Sequence, residues 1–345
     1  MSNLMPDTIG SEAALDEVLT QPRTELVQFI KTLKSPLLIL GAGGKMGPSL
    51  AVLARRAADA AGHPLEVIAA SRFSDSAARD WLEGRGVRTV VTDALRREDF
   101  AVLPEAGNVI YLVGQKFGTS ANPSRTWITN TLAPALAAER FRSARMVALS
   151  TANVYPMARV ASGGSREEDP LTPLGEYANA AVARERVFEY FSQQFGTHMA
   201  MLRLSYALDL RYGVIADLGG KVLRGEPIPL ANGYFNAIWQ ADANELILRS
   251  LDLAASPAAA FNLSGPMLAV REVAERLGKL LQRKPVFEGS ESETALVCDT
   301  SRLDRLLGAP ATPLETVLRW TAHWVSRGGR SLDKPTHFET RDGTY

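Results

Sequence analysis

The sequence predicts an α/β fold built on a doubly wound parallel sheet, with a smaller α/β lobe toward the C-terminus. Three observations predict it. Short apolar runs alternate with helical stretches from about Ser35 to Leu204. The runs are apolar at consecutive positions, as strands buried on both faces must be. The first run passes directly into glycines that open a helix. Helices covering both faces of a parallel sheet are what such alternation specifies.

The elements follow in order. Residues 1–34 read as a helical extension, with amphipathic patterns at 12–19 and 24–33 separated by Gln21-Pro22. Pro22 is expected in the first turn of the second helix, and both helices are expected on the outside of the next domain. Apolar runs at 37–40, 65–70, 87–91, 109–113, 146–149 and 199–204 give six strands. Helical patterns at 46–60, 76–83, 125–141 and 177–195 lie between them. These elements define a first domain over 35–205. Residues 206–327 form a substrate lobe, helical at 243–253, 270–281 and 313–325, with a short strand at 261–263. Some of its strands and helices are expected to return to the first domain. Residues 328–345 read as a polar, irregular tail.

Composition narrows the function classes. The 345 residues carry 38 basic and 38 acidic side chains, so no net charge marks a nucleic-acid or anionic-membrane partner. Hydrophobic residues make up 46%, too many for a disordered chain. No apolar stretch approaches the ~20 residues that span a bilayer. Met1 to Gly10 has neither a basic residue nor an apolar core, so no signal peptide is read. The lone Cys298 permits no intrachain disulfide, which fits a cytoplasmic location. His63, His198, His323 and His337 show no ligand spacing, and no metal is expected.

The strongest local motif is Gly41-Ala42-Gly43-Gly44-Lys45-Met46-Gly47. It has glycines at the G-x-x-G-x-x-G positions 41, 44 and 47, between a strand and a helix. A pyrophosphate sits against backbone N–H groups at a helix N-terminus, where Cβ atoms would block its approach. The last glycine lets helix and strand pack closely. The motif therefore predicts a Rossmann-type dinucleotide site. The second strand ends at Ala70-Ser71-Arg72 with no carboxylate for a ribose 2′-hydroxyl; Asp75 comes a few residues late. A hydroxyl and a guanidinium suit a 2′-phosphate, so NADP is preferred over NAD. Asp93, with Ala94 beside it, is placed to reach an adenine amino group or to cap the next helix.

Two later segments add chemistry: Ser150-Thr151-Ala152-Asn153-Val154-Tyr155 after the fifth strand, and Tyr177 opening a helix. With the glycine loop, the Arg224-Gly225-Glu226-Pro227-Ile228-Pro229 turn and the stretch ending at Asp242, they resemble the extended short-chain dehydrogenase/reductase superfamily, in its NAD(P)-dependent epimerase/dehydratase branch. The resemblance runs from about Ser35 to Leu281. It implies that Thr151 and Tyr177 flank the nicotinamide and a carbinol carbon, where a hydride and a proton move. It also implies that Val113 and Gly114, after the fourth strand, border the nicotinamide, and that the helices at 125–141 and 177–195 build a homodimer.

One family position departs. The lysine expected four residues after Tyr177 is Ala181. A tyrosine with its ordinary pKa of about 10 is almost wholly protonated at neutral pH. Three readings follow. Lys116 supplies the missing cation, or Tyr177 works as a neutral hydrogen-bond donor, or the protein binds NAD(P) without turnover. On the substrate side, Phe235 and Trp239 stand where nucleotide-sugar relatives carry an arginine and a histidine. An aromatic ring cannot neutralise a diphosphate. The expected substrate is therefore a smaller sugar, sugar acid or polyol, met by Asn153, Tyr206, Phe235 and Trp239, with Phe235 and Trp239 serving equally well as core. Gly163-Gly164 marks a loop at 161–169 that could serve as a lid.

Overall fold

The computed structural model describes residues 5–74, 76–115, 121–332, 334 and 336–343. Lys116 and Asp75 lie outside them. Seven strands form one parallel sheet: β1 (Leu37–Leu40), β2 (Val67–Ser71), β3 (Arg88–Val91), β4 (Asn108–Tyr111), β5 (Arg145–Thr151), and two that follow later in the chain. Between them run α3 (Gly47–Ala61), α4 (Ser76–Glu83), α5 (Arg97–Ala101), α6 (Pro123–Arg140) and α7 (Glu176–Phe195), after α1 (Glu12–Leu19) and α2 (Thr24–Ile30). A short β6 (Ala158–Arg159) precedes β7 (Met199–Leu204). The second half contributes β8 (Tyr206–Leu208), α8 (Val214–Arg224), β9 (Pro227–Pro229), β10 (Tyr234–Trp239), α9 (Gln240–Arg249), β11 (Ala259–Leu263), β12 (Met267–Ala269), α10 (Val270–Leu281), β13 (Val286–Glu288), β14 (Thr294–Ala295), α11 (Ser301–Leu307) and α12 (Leu314–Ser326).

The main sheet has the order β11-β7-β5-β4-β1-β2-β3. The order reverses between β1 and β4, and a crevice opens there at the carboxyl ends of the strands, where doubly wound sheets bind ligands. The strand Ala259–Leu263 pairs in parallel with β7 and completes the main sheet. Its apolar residues at 261–263 read in the sequence only as a short strand of the second lobe. Helix α9 follows it back, since Leu246, Ile247 and Leu248 share a core with Leu50, Leu53 and Ile39. The second lobe packs β12-β10-β8 against α8, α10 and α12 around a separate core.

The N-terminal helices pack on the outside as expected, polar faces exposed and apolar faces turned inward, and they meet two cores rather than one. Leu15 and Leu19 enter the second-lobe core, while Leu26, Ile30 and Leu33 enter the sheet core, so the extension clamps the two. Pro22 precedes the second helix, whose N-cap is Arg23. The tail is irregular and largely exposed, but Thr336 and Phe338 in it are buried.

Candidate functional site

At the crevice lies a cavity of about 520 Å³. Gly41, Gly43, Gly44, Ser71, Arg72, Asp93, Ala94, Val113 and Gly114, all singled out from the sequence, line it together. So do Phe73, Thr92, Arg125 and Thr129, which sequence reasoning missed. Arg125 and Thr129 stand one turn apart on α6, which no local pattern connects to the glycine loop.

The loop is shaped by close approaches. Gly41 has φ +81°, and a Cβ on it would lie 2.9 Å from the Val113 nitrogen. A Cβ on Gly43 would lie 2.8 Å from Ser71 Oγ. One on Gly47 would lie 2.5 Å from the Ala42 Cα. Gly44 has no such neighbour: its Cβ would meet only the Gly41 oxygen, at 3.4 Å. Gly44 itself lines the cavity. Helix α3 begins at Gly47 with no acidic residue in its first turn and no side-chain cap. Its N-terminal donors and dipole therefore suit an anion. The glycine cradle and bare helix end fit a dinucleotide pyrophosphate.

Gly47 and Met46 contribute through this packing, since neither lines the cavity. Lys45 points elsewhere: Nζ donates to the Ala207 carbonyl at 2.7 Å and sits 4.0 Å above the Tyr212 ring. Asp93 accepts from the Leu95 N–H at 3.0 Å, a local turn cap, while still lining the cavity.

The later segments meet where α7 packs on β5. The Thr151 hydroxyl accepts from the Asn153 N–H at 3.2 Å and donates to Asn153 Oδ1 at 3.0 Å, capping a 3₁₀ turn over Ala152–Val154. Tyr177 lies in the first turn of α7, 8% exposed. Its electrostatic neighbour is Tyr212, whose pKa is pushed up to about 12 by burial, then by Asp217 and Tyr177. Ala181, one turn beyond Tyr177, packs with Ala152, Val154 and Tyr155 in a small apolar cluster. Nothing at that position holds a charge.

Behind this strip runs a buried polar network. Arg203 donates to Glu185 from Nε at 3.1 and 3.2 Å and from Nη2 at 2.7 Å. Its Nη1 donates to the Tyr155 hydroxyl at 2.7 Å, which donates to Asn262 Oδ1 at 2.8 Å. Ser150 donates to Glu185 Oε1, the oxygen that also accepts from Arg203 Nε. Burial raises the Tyr155 phenol well above its ordinary range, so it acts here as a neutral donor.

Phe235 and Trp239 belong to the second-lobe core, not to the cavity wall. Phe235 is 1% exposed, and the Trp239 ring lies tilted against Trp320 with centroids 5.3 Å apart. Tyr206 sits at that core's edge, its ring edge-on to Phe235 at 6.4 Å. The 161–169 loop is tied down rather than free: Ser165 exchanges backbone bonds with Val297 and Asp299. The tail comes closer to Tyr177. Thr336 donates twice to Asp217, at 3.1 Å from its N–H and 2.6 Å from its hydroxyl. Arg341 donates to the Ala231 and Thr294 carbonyls at 3.0 and 2.7 Å. Gly343 then lies backbone-to-backbone against Leu174 and Gly175, where a side chain on either glycine would overlap the other strand of chain.

A seven-stranded doubly wound sheet with a glycine cradle at its reversal point defines the Rossmann class. The sequence matches the NAD dependent epimerase/dehydratase family over residues 37–231, and the chain belongs to that family. A search of curated proteins finds no match. Among solved structures, UDP-glucose 4-epimerase of Thermotoga maritima, determined with UDP-glucose, superposes with a TM-score of 0.67 at 17% identity, covering 85% of this chain and 99% of that one. dTDP-glucose 4,6-dehydratase of Bacillus anthracis, determined with NAD, gives 0.70 at 15% identity, covering 85% and 97%. An epimerase of Methanothermobacter thermautotrophicus gives 0.69 at 17% identity, covering 88% and 96%. At these identities the likeness is one of fold. No helix among the described residues is long and apolar enough to cross a membrane.

Proposed function

We propose that the protein binds a nicotinamide dinucleotide along the 41–47 loop, prefers NADP over NAD, and oxidises or reduces a carbinol carbon of a small sugar, sugar acid or polyol. The carrying observation is the cavity, which joins the glycine cradle to Ser71 and Arg72 with no carboxylate at the β2 end. Arg72 would hold the 2′-phosphate and Asp93 the adenine side. The cofactor supplies or accepts the hydride. The chain's own part is to place Thr151 and Tyr177 at the reacting oxygen, with a hydroxyl proton passing through Tyr177. The packing of Phe235 and Trp239 leaves that stretch no cation for a diphosphate, which favours a small substrate.

Exposed Trp127 and Ile128 on α6, with Tyr190 and Phe195 on α7, support a homodimer through these helices. A cytoplasmic location agrees with the single reduced Cys298. The apolar setting of Ala181 favours one further reading, a non-catalytic NADP sensor. Absorbance of the reduced cofactor across a sugar and polyol panel separates them. The enzyme reading expects turnover in the wild type that Tyr177→Phe loses while keeping cofactor affinity. Unchanged turnover in that variant refutes the role of Tyr177. Tight cofactor binding with no turnover across the panel favours the sensor.

A further inference from the structure

Arg184 is a buried cation without a counter-ion among the described residues. It lies on α7 seven residues after Tyr177, two turns along the same face. It is only 4% exposed. Yet among the described residues it makes no ion pair, and its one hydrogen bond is from Nη1 to the Val113 carbonyl at 3.3 Å. Its Nε is buried with no partner. The hydroxyl of Tyr111, which feels the Arg184 charge, is buried without a partner too. Arg203 shows the contrast: it is equally buried, but Glu185, Tyr155 and Glu167 satisfy its guanidinium. Leaving a nitrogen of a buried guanidinium without a partner is unfavourable. A group of negative charge brought beside it would relieve that cost.

The geometry says where such a group would sit. A Cβ on Gly114 would lie 2.8 Å from Arg184 Nη1, so glycine there is what lets the guanidinium reach the strand end. Val113 and Gly114 line the cavity. Long helical side chains lean toward the helix N-terminus. An arginine two turns past Tyr177 therefore carries its charge back to about the level of Ala181, the position that lacks one.

We propose that Arg184 is a cofactor-binding residue: its guanidinium meets the nicotinamide-nucleotide half of the bound dinucleotide beside Gly114 and supplies the positive charge absent at Ala181. This rests on the cofactor reading above. It also removes the need for Lys116.

The test compares NADPH with 2′,5′-ADP, which carries the adenine half alone. Both are titrated against wild type, Arg184→Met, Arg184→Gln and Arg184→Lys. NADPH affinity falls about 10- to 100-fold in the Met and Gln variants, as expected for a charge-assisted hydrogen bond. The 2′,5′-ADP affinity stays unchanged, and the lysine variant falls between. The melting temperature of the cofactor-free Met variant stays level or rises, because an apolar chain replaces an uncompensated charge. Unchanged NADPH affinity overturns the proposal, as does an equal fall for both ligands, which marks a general structural role. Should the Met variant not fold, the Gln variant gives the same comparison. A wild type that binds neither ligand refutes the cofactor reading itself, and Arg184 with it.

Discussion

Replacing Gly47 by alanine sets two effects against each other. Alanine favours a helix over glycine by up to about 1 kcal/mol, and less in a first turn. Against this, the new Cβ would lie 2.5 Å from the Ala42 Cα. Ordinary carbon contacts sit near 3.5–4.0 Å, so loop and helix must part by roughly 1 Å. Forcing an extra methyl into packed backbone costs about 1–3 kcal/mol. The clash wins, by about 1–2 kcal/mol, and the melting temperature of this 345-residue chain drops by about 1–3 °C. The same shift moves the helix-end donors away from the pyrophosphate. Losing one charged hydrogen bond weakens NADPH binding about 10- to 100-fold. Gly44→Ala is the control. Its Cβ meets only the Gly41 oxygen, at 3.4 Å, so stability stays within about 0.5 kcal/mol. Gly44 lines the cavity, so an added methyl there is expected to lower NADPH affinity. Thermal unfolding and nucleotide fluorescence read both quantities. Full NADPH affinity in Gly44→Ala, or in a folded Gly47→Ala, would refute the cradle.

Further outcomes follow from the buried charges. Glu185→Ala strands Arg203 in the interior and costs about 3–5 kcal/mol in urea unfolding, with Arg203→Met in the same chain recovering much of it; a loss under about 1 kcal/mol would contradict the network. Burial raises the Asp217 carboxyl above its ordinary range, outweighing the Thr336 hydrogen bonds that lower it. A raised carboxyl in the folded state stabilises below the unfolded value of about 3.9, and that contribution is lost as pH climbs through the folded value. Asp217→Asn is therefore more stable than wild type near pH 7.5, with the difference shrinking toward pH 4; a variant less stable at pH 7.5 would show that the charged form is favoured.

Local pattern carried much of the architecture into view. The runs at 37–40 and 199–204 and the helices at 76–83 and 270–281 are strands and helices at those residues. Their buried faces repeat at spacings that only one element type satisfies. The glycine loop was legible because strand, loop and helix fall within a few residues. What stayed hidden depends on long-range contact. Ala259–Leu263 is short and alanine-rich, and nothing local says that it pairs with β7. The leucines of the N-terminal helices show an apolar face but not the two cores that receive it. Phe235 and Trp239 stood at substrate positions by motif alignment, whereas core packing claims them. Arg184 looks in sequence like any helical surface arginine; only the approach of the β4 end to α7 makes it a buried cation.

The most direct test of the account is a titration of the purified wild type and Arg72→Ala with NADPH and NADH. Arg72 lines the cavity just past the end of β2, and the stretch Ser71 to Ser74 carries no carboxylate. The account predicts tighter binding of NADPH than NADH by the wild type, and a selective loss of NADPH affinity in Arg72→Ala with NADH unchanged. Equal affinity for the two nucleotides in both proteins would contradict the 2′-phosphate assignment, and binding of neither would contradict the cofactor site.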